Sequence, residues 1–338
     1  MNVLVNGVGN IGSTLIALLA RFHSELELST IYALKNTPKP WHAEDLEYFS
    51  SLGITICTRN KDDQFAFLDD IIDTIDYIFD CTANGGGLKN KSWYIDLPQL
   101  KGASAQGSEK DFGTSFMSGV NNEAILSKKF VHIVSCNTHS LASLLTTFTG
   151  ENLENLSEAD FVVVRRSEDI GNHQRLVSAN VVARHLDDQL GTHHSIDLQH
   201  LFETKGILVQ VTSSDITTPS QLMHGVRFNI CFKEKRTAYE LEKLINANPL
   251  VSTSVKFDSN VIFERGRRIG FQGRIYSHAV IISNNLLITP TSVKGWAFIP
   301  QEGNTILSTL HAFLLQVNHA KTSELMSTFR HQLIRKTW

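Results

Sequence analysis

The 338-residue sequence predicts an α/β protein with two domains: a doubly wound parallel sheet, then an α+β domain with a mostly antiparallel sheet. Three observations support this prediction. Strand and helix patterns alternate up to about residue 136, as parallel sheets require. Beyond residue 150, strand patterns follow one another without regular helices between them. The chain is also longer than one hydrophobic core usually supports. We expect residues 1–136 and the C-terminal segment 301–338 to form the first domain, and residues 137–300 the second.

The first strand pattern, residues 2–6, runs directly into the motif G-x-G-x-x-G, with glycines at Gly7, Gly9 and Gly12. Apolar residues at helical spacing follow the motif, as in the helix that covers a parallel sheet. This strand, turn and helix form the dinucleotide fingerprint of a Rossmann domain. The first glycine permits the tight turn, the second lets pyrophosphate approach the backbone, and the third allows close helix–strand packing.

A second strand pattern, residues 26–32, is followed by Lys35 where a carboxylate is typical of NAD sites. That carboxylate accepts a hydrogen bond from the ribose 2′-hydroxyl, whereas a lysine can pair with the 2′-phosphate of NADP. We therefore expect NADP to be accepted at least as well as NAD. A solvated loop lysine is the alternative interpretation.

Cys136 lies between a short buried strand pattern beginning at Phe130 and a helical stripe that ends at Phe148. At a strand-to-helix turn, free backbone N–H groups and the helix dipole favour a thiolate. Such positions suit a nucleophilic cysteine. The alternative is a buried structural cysteine, which is the usual role of an isolated Cys.

The second half contains further candidates for substrate binding. Arg165 and Arg166 end a strand pattern, and arginine suits multidentate binding of phosphate, although adjacent arginines more usually form a solvated strand end. His193 and His194 are adjacent in an expected loop, and no carboxylate lies at helical ligand spacing from them, so we predict no metal site. His224 shares the parity of the buried positions of its strand, which indicates a core histidine or a general base.

Bulk properties restrict the partners. The formal net charge is −3, which gives no electrostatic reason to expect binding to nucleic acid or to an anionic membrane. No apolar run reaches the ~18 residues of a membrane span. The four cysteines are widely spaced and form no CxxC pair, which is typical of reduced thiols in the cytoplasm.

These motifs together resemble the type II, archaeal-type, phosphorylating glyceraldehyde-3-phosphate dehydrogenases. The resemblance covers nearly the whole chain, and its most specific elements are Ser135-Cys136-Asn137-Thr138, His193-His194 and Leu222-Met223-His224. It implies reversible, NADP- or NAD-dependent oxidation of glyceraldehyde 3-phosphate with inorganic phosphate, in a cytoplasmic homotetramer. It also implies Cys136 as the nucleophile and His224 as the general base. The implied substrate or phosphate contacts are Asn137, Thr138, Arg165, His193 and His194, and the implied cofactor contacts include Asn10, Ile11, Ser108, Arg166 and Gln301.

The sequence departs from the family pattern at Ala83, at Ser108, at His139-Ser140 and at Lys39, where proline, glycine, Thr-Gly and an acidic residue are usual. Two other functions therefore stay open. One is a related semialdehyde or acyl-phosphate dehydrogenase with the same thioester chemistry. The other is a catalytically silent nucleotide-binding scaffold.

Overall fold

A computed structural model describes residues 1–62, 64–107, 109–167, 180–220, 222–269 and 272–333. The chain divides into two compact units. Unit 1 comprises Met1–Ser118, Asn122–Ile133 and Ser308–Met326. Unit 2 comprises Gly119–Asn121, Val134–Leu307 and Ser327–Trp338.

Unit 1 alternates strands and helices along the chain. In chain order the elements are β1 (Asn2–Asn6), α1 (Asn10–Arg21), β2 (Thr30–Leu34), α2 (Ala43–Ser51), β3 (Thr55–Thr58), β4 (Ala66–Phe67), α3 (Leu68–Ile71), β5 (Tyr77–Asp80), α4 (Gly86–Tyr94), β6 (Gly102–Gln106), β7 (Thr114–Phe116) and β8 (Phe130–Ile133). The strands form one sheet in the order β4-β3-β2-β1-β5-β6-β8-β7, and every pairing in it is parallel. This confirms the predicted doubly wound sheet. Chain order reverses at β1 and β5, which is where such sheets bind ligands.

The second strand lies four residues later than the pattern predicted. Leu26 and Leu28 are buried, but they lie in turns that follow α1, and Glu27 between them has a φ of 52°. Apolar burial and strand hydrogen bonding are separate properties. Here a buried loop carries the apolar residues, and the strand begins at Thr30.

Unit 2 contains a mixed sheet. Its elements begin with α5 (Cys136–Thr149), β9 (Leu156–Arg166), β10 (Val182–Arg184), α6 (His193–Glu203), β11 (Val211–Thr218), β12 (His224–Phe232) and α7 (Ala238–Ala247), and continue with β13 (Val251–Ser254), α8 (Ser259–Ile269), β14 (Ala279–Ile282), β15 (Leu287–Thr289) and β16 (Ser292–Ile299). The order is β10-β11-β9-β12-β16-β14-β13, with β15 beside β16. Only β11–β9 and β13–β14 pair in parallel, so the sheet of the described residues is mostly antiparallel, as predicted. Two last helices, α9 (Ile306–Gln316) and α10 (Thr322–Leu333), each cross a boundary between the units.

Helix α5 is buried nearly all round, although its apolar stripe predicted one covered face. Within unit 2 it contacts α6 and α7 as well as strands of the sheet. Some of its small polar residues tolerate this burial because their hydroxyls donate to carbonyl oxygens of the preceding turn. Thr147 and Thr149, for example, donate to the carbonyl oxygens of Ser143 and Leu145. A fully enclosed helix holds its first residue, Cys136, in a fixed position.

Candidate active site

The turn between β1 and α1 has the geometry that dinucleotide binding requires. Gly7 has a φ of 101°, and a Cβ there would lie 2.8 Å from the carbonyl oxygen of Cys81. A Cβ on Gly12 would overlap the Gly7 carbonyl oxygen. Within the described chain, a Cβ on Gly9 would meet nothing within 4 Å. Gly7 and Gly12 are therefore required by packing, whereas the backbone at Gly9 is accessible to a ligand such as pyrophosphate.

Asn10 and Ile11 are the first two residues of α1, and Asn10 is exposed. The first turn of this helix contains no acidic residue. Its N-terminus therefore presents a positive dipole end to the turn, which favours an anion. These features fit the pyrophosphate of a nicotinamide dinucleotide, held by the turn 7–12.

The N-terminus of α4, the next helix at the switch point, is already occupied by a side chain. The buried carboxylate of Glu109 accepts from the backbone N–H groups of Gly85 at 2.5 Å and of Leu88 at 2.8 Å. The glycine run at residues 85–87 thus serves as a receptor for an internal carboxylate. Of the two helix N-termini at the switch point, α1 is the one whose first turn is left for a ligand.

Lys35 follows β2 directly and is half-buried. Burial lowers the pKa of Lys35 below its usual value, and the negative charge of Asp45 opposes this effect. Lys39 and His42 lie nearby. Burial is the largest cause that lowers the pKa of His42, and the positive charges of Lys35 and Lys39 lower it further. The carboxyl end of β2 is therefore a positively charged edge, as binding of a 2′-phosphate requires.

Cys136 is the first residue of α5, as the sequence predicted. The hydroxyl of Ser135 caps the helix by accepting from the Thr138 N–H at 3.2 Å. The Cys136 side chain is half-buried, and its Sγ lies 3.9 Å from Asn137 Oδ1. A thiol at this position is exposed to the positive end of a buried helix dipole, which stabilises the thiolate.

Asn304 was not among the residues predicted from the sequence, yet it anchors Cys136. Its side-chain amide donates to the Cys136 carbonyl at 2.9 Å and to the His278 carbonyl at 3.1 Å. Asn304 is fully buried. The sequence around Asn304 gives no sign of this role, because both acceptors are distant in the chain.

His224 is buried on the covered face of β12, as its parity predicted. The backbone N–H of Arg166 donates to His224 Nδ1 at 2.9 Å. A backbone N–H only donates, so Nδ1 carries a lone pair and the neutral ring holds its proton on Nε2. The side-chain amide of Gln301 lies 2.6 Å from Nε2, and we orient it with its oxygen toward the ring N–H.

The charge state of His224 follows from its surroundings. Burial, reinforced by the positive charges of Arg166 and Arg165 and by His194, lowers the pKa of His224 well below its usual value. The ring is therefore neutral near neutral pH. Its Nε2–H is a fixed hydrogen-bond donor.

Strained backbone lies next to both His224 and Gln301. Met223 precedes His224 with a φ of 58°, and Glu302 follows Gln301 with a φ of 60°. Non-glycine residues adopt this conformation rarely, and they do so most often at functional sites. Glu302 also accepts from the guanidinium of Arg166 and lies 3.3 Å from that of Arg274. This ion cluster immobilises the segment that carries Gln301 and Asn304.

His193 and His194 begin helix α6, where the sequence had suggested a loop. Gly191 allows this because a Cβ there would overlap the Ser213 carbonyl oxygen of β11. The Ser213 hydroxyl lies 2.7 Å from those of Thr192 and Ser195, so the start of α6 is fixed against β11. The two imidazole rings lie 3.9 Å apart between centroids.

Asp215, also on β11, was not among the predicted site residues. Its carboxylate lies 3.5 Å from His194 Nε2 and 3.7 Å from Arg165 Nη1. Burial lowers the pKa of His193 to about 4, and His194 contributes to this shift, so His193 is neutral. Arg165, His193 and His194 therefore do lie together, with an N-terminal helix end beside them. This arrangement suits an anion.

Several predicted site residues share unit 2. Gln301 contacts His224, and Asn304, three residues later, contacts Cys136, so one short segment ties both candidate catalytic residues. Asn137 and Thr138 are buried at the start of α5, and the Thr138 hydroxyl lies 2.9 Å from that of Ser135. Ser108 lies outside the described residues. The roles assigned to all these residues stay predictions.

The chain is similar over most of its length to three proteins that carry one name. The relative from Saccharolobus solfataricus is 25% identical over 78% of this chain and 76% of its own length. Those from Methanobacterium bryantii and Sulfolobus acidocaldarius are 24% and 23% identical, over 74% and 94% of this chain and 73% and 92% of their own lengths. Each is named glyceraldehyde-3-phosphate dehydrogenase.

No protein-family model matches the chain. At 23–25% identity these three relatives support the resemblance stated above without establishing membership of a family. Among the described residues, no helix combines the length and the apolar character that a membrane span needs.

Proposed function

We propose that this chain oxidises glyceraldehyde 3-phosphate to 1,3-bisphosphoglycerate, reversibly, with inorganic phosphate and with NADP or NAD. The observation that supports this most directly is the shared anchoring of Cys136 and His224 by residues 301–304. The parallel sheet with its accessible Gly9 turn and the names of the relatives support the nicotinamide cofactor.

The proposed reaction begins at sulfur. The Cys136 thiolate, formed by loss of its proton to solvent, adds to the aldehyde carbon and yields a hemithioacetal alkoxide. A bound nicotinamide supplies the hydride acceptor. Loss of hydride leaves a thioester on Cys136. Inorganic phosphate then attacks this thioester, which releases the acyl phosphate and regenerates the thiolate.

We assign His224 the role of a donor to the alkoxide. Nδ1 already accepts from the Arg166 backbone, so the ring proton lies on Nε2, and this N–H would turn from Gln301 to the alkoxide. A thiolate adds to the aldehyde without creating a hydroxyl, so no proton has to be removed before hydride leaves. The general-base role predicted from the sequence needs a lone pair on Nε2, and therefore needs the Arg166 contact to break. The two roles predict different behaviour in variants.

Arg165, His193 and His194 are the proposed binding site for a phosphate group. The guanidinium supplies the charge, and the first turn of α6 supplies backbone N–H groups. Asn137 and Thr138 are proposed to contact the substrate near Cys136. Lys35 is proposed to pair with the 2′-phosphate of NADP, while Arg166 and Gln301 keep their predicted place near the cofactor.

The decisive experiment measures reduction of NADP and of NAD with glyceraldehyde 3-phosphate, with inorganic phosphate included or omitted. Phosphate-dependent reduction that disappears in Cys136→Ser supports the proposal. Reduction with other aldehydes only would indicate the related semialdehyde or acyl-phosphate dehydrogenase. No reduction, together with unreactive Cys136 toward iodoacetamide at neutral pH, would indicate the silent nucleotide-binding scaffold.

A homotetramer in the cytoplasm, without nucleic-acid or membrane partners, completes the proposal. Light scattering on the purified chain tests the tetramer directly. A monomer at micromolar concentration would refute that part and leave the chemistry untouched.

A further inference from the structure

The cluster of His193, His194 and Asp215 has buried polar atoms whose hydrogen bonding is incomplete. Among the described residues, His194 Nδ1 and Asp215 Oδ1 have no hydrogen-bond partner. His194 Nε2 and Asp215 Oδ2 reach each other only at 3.5 Å, and Arg165 Nη1 lies 3.7 Å from the same carboxylate. The side chains of His194 and Asp215 are fully buried. Buried polar groups are nearly always fully hydrogen-bonded, so this unused bonding capacity indicates a missing ligand.

The chemistry of the unpaired atoms indicates which ligand is missing. A carboxylate only accepts hydrogen bonds, and a bound phosphate offers it no donor unless it is protonated. An anion would therefore satisfy the imidazoles and add no donor for Asp215, whose carboxylate has only long contacts to Arg165 and His194. A metal cation would satisfy both, because imidazole nitrogen and carboxylate oxygen are ligands of the same ions.

The geometry allows such an ion after a modest contraction. One ligand atom from each of His193, His194 and Asp215 can be chosen so that all three lie within 4.8 Å of one another. A tetrahedral zinc with bonds of about 2.1 Å needs ligand atoms about 3.4 Å apart. The widest pair must therefore close by at most about 1.4 Å, which side-chain rotation of the half-buried His193 can supply.

The sequence predicted no metal site at His193 and His194, because the carboxylate that joins them, Asp215, comes from another element. We propose that this cluster binds a divalent transition-metal ion, with zinc as the best match, when no phosphate group is present. Arg165 opposes this binding, because its Nη1 lies 3.7 Å from the Asp215 carboxylate. The Arg165 side chain is 26% exposed, so its guanidinium can withdraw into solvent when the ion enters. The metal site does not depend on the proposed reaction. The two share residues, so metal and phosphate exclude each other.

The test uses the full chain carrying Cys136→Ser, which removes the candidate nucleophile as a competing ligand. Zn²⁺ binding is measured by calorimetry, and Co²⁺ binding by its visible absorption, which distinguishes tetrahedral from octahedral coordination. We expect one ion per chain. His194→Gln and Asp215→Asn should each weaken binding at least about 10-fold, with His193→Gln as a milder variant should the buried substitutions prevent folding.

Two further variants make the test specific. His185 and Asp188 form an exposed histidine–carboxylate pair at 3.2 Å, so His185→Gln removes a comparable surface pair and should leave binding unchanged. Arg165→Gln should tighten metal binding by about 10-fold because it removes an opposing charge. Metal binding that is absent, or unaffected in His193→Gln and Asp215→Asn, would overturn the proposal.

Competition by sulfate, used as a phosphate analogue, separates this proposal from the proposed function. Sulfate that weakens Zn²⁺ binding supports both assignments of the cluster. Zinc binding without competition would keep the metal site and refute the phosphate site. Sulfate binding that is lost in Arg165→Gln, without any zinc binding, would keep the phosphate site and refute the metal site.

Discussion

The role of His224 can be decided by comparing two substitutions. His224→Ala removes both the ring N–H and the acceptor for the Arg166 backbone, whereas His224→Gln keeps a side-chain N–H near the position of Nε2. If His224 donates to the alkoxide, the glutamine variant should lose much less activity than the alanine variant. If it is a general base, both variants lose the function equally, because an amide does not accept a proton near neutral pH.

The expected losses of kcat follow from removal of a single hydrogen bond to the alkoxide. Removing one donor to a developing oxyanion typically lowers kcat by about 10²–10³, or about 2.7–4 kcal/mol. We therefore expect that loss for His224→Ala, and a loss smaller than about 50-fold for His224→Gln. Removing a general base typically costs about 10²–10⁴.

The assay is the single-turnover rate of nicotinamide reduction in the presence of saturating aldehyde, which reports formation of the thioester. Nitrogen-15 shifts of His224 in the resting protein check the tautomer independently of activity. Equal loss of rate in both variants would refute the donor role. A resting ring with its proton on Nδ1 would refute the structural reasoning behind that role.

Three other predictions follow. Burial and Arg166 hold the pKa of His224 low, so the neutral ring persists below pH 6.5. Protonation of Nδ1 would break the Arg166 backbone contact that positions the ring, so Arg166→Gln should raise the pKa of His224 and move the acidic limb of the kcat profile to higher pH. Lys35→Ala should raise the KM for NADP by about 10-fold or more through loss of one charged contact, and change that for NAD little, as steady-state kinetics would measure. Glu109→Gln should destabilise unit 1 by about 2 kcal/mol in chemical denaturation, because one of the two backbone N–H groups that the carboxylate satisfies loses its acceptor.

Matched controls make these results interpretable. Arg274→Gln removes the other arginine beside Glu302. Arg274 is not among the charges that lower the pKa of His224, so the acidic limb of the kcat profile should stay in place. Glu123→Gln changes an exposed carboxylate of unit 1 and should alter stability little. An acidic limb that moves equally in both arginine variants would contradict the first prediction. Equal KM changes for both cofactors would contradict the second, and unchanged stability of Glu109→Gln the third.

Agreement between the features predicted from the sequence and those of the structure varies from element to element. The turn at residues 7–12 was predictable because its glycines, strand and helix are consecutive, and local geometry requires each of them. The position of Cys136 at the start of α5 and the inward side of His224 were predictable for the same reason. Each depends on periodicity within one element.

Burial that arises between distant segments was less predictable. The strand predicted at residues 26–32 included a buried loop, and the observed strand begins only at Thr30. Buried loops and strands both need apolar residues, so the pattern did not separate them. His193 and His194 were expected in a loop, because the Ser213 contacts that fix the start of α6 come from a strand eighteen or more residues away.

The sequence by itself determined the parallel sheet, its glycine turn, and the elements that carry Cys136 and His224, because repeating local patterns specify those features. Only the tertiary structure decided what each candidate touches. It placed Asp215 beside His194, Glu109 at the N-terminus of α4, and the Arg166 backbone against His224. These partners are from 21 to 58 residues apart in the chain. No local pattern records such pairings, because they exist only once the chain has folded.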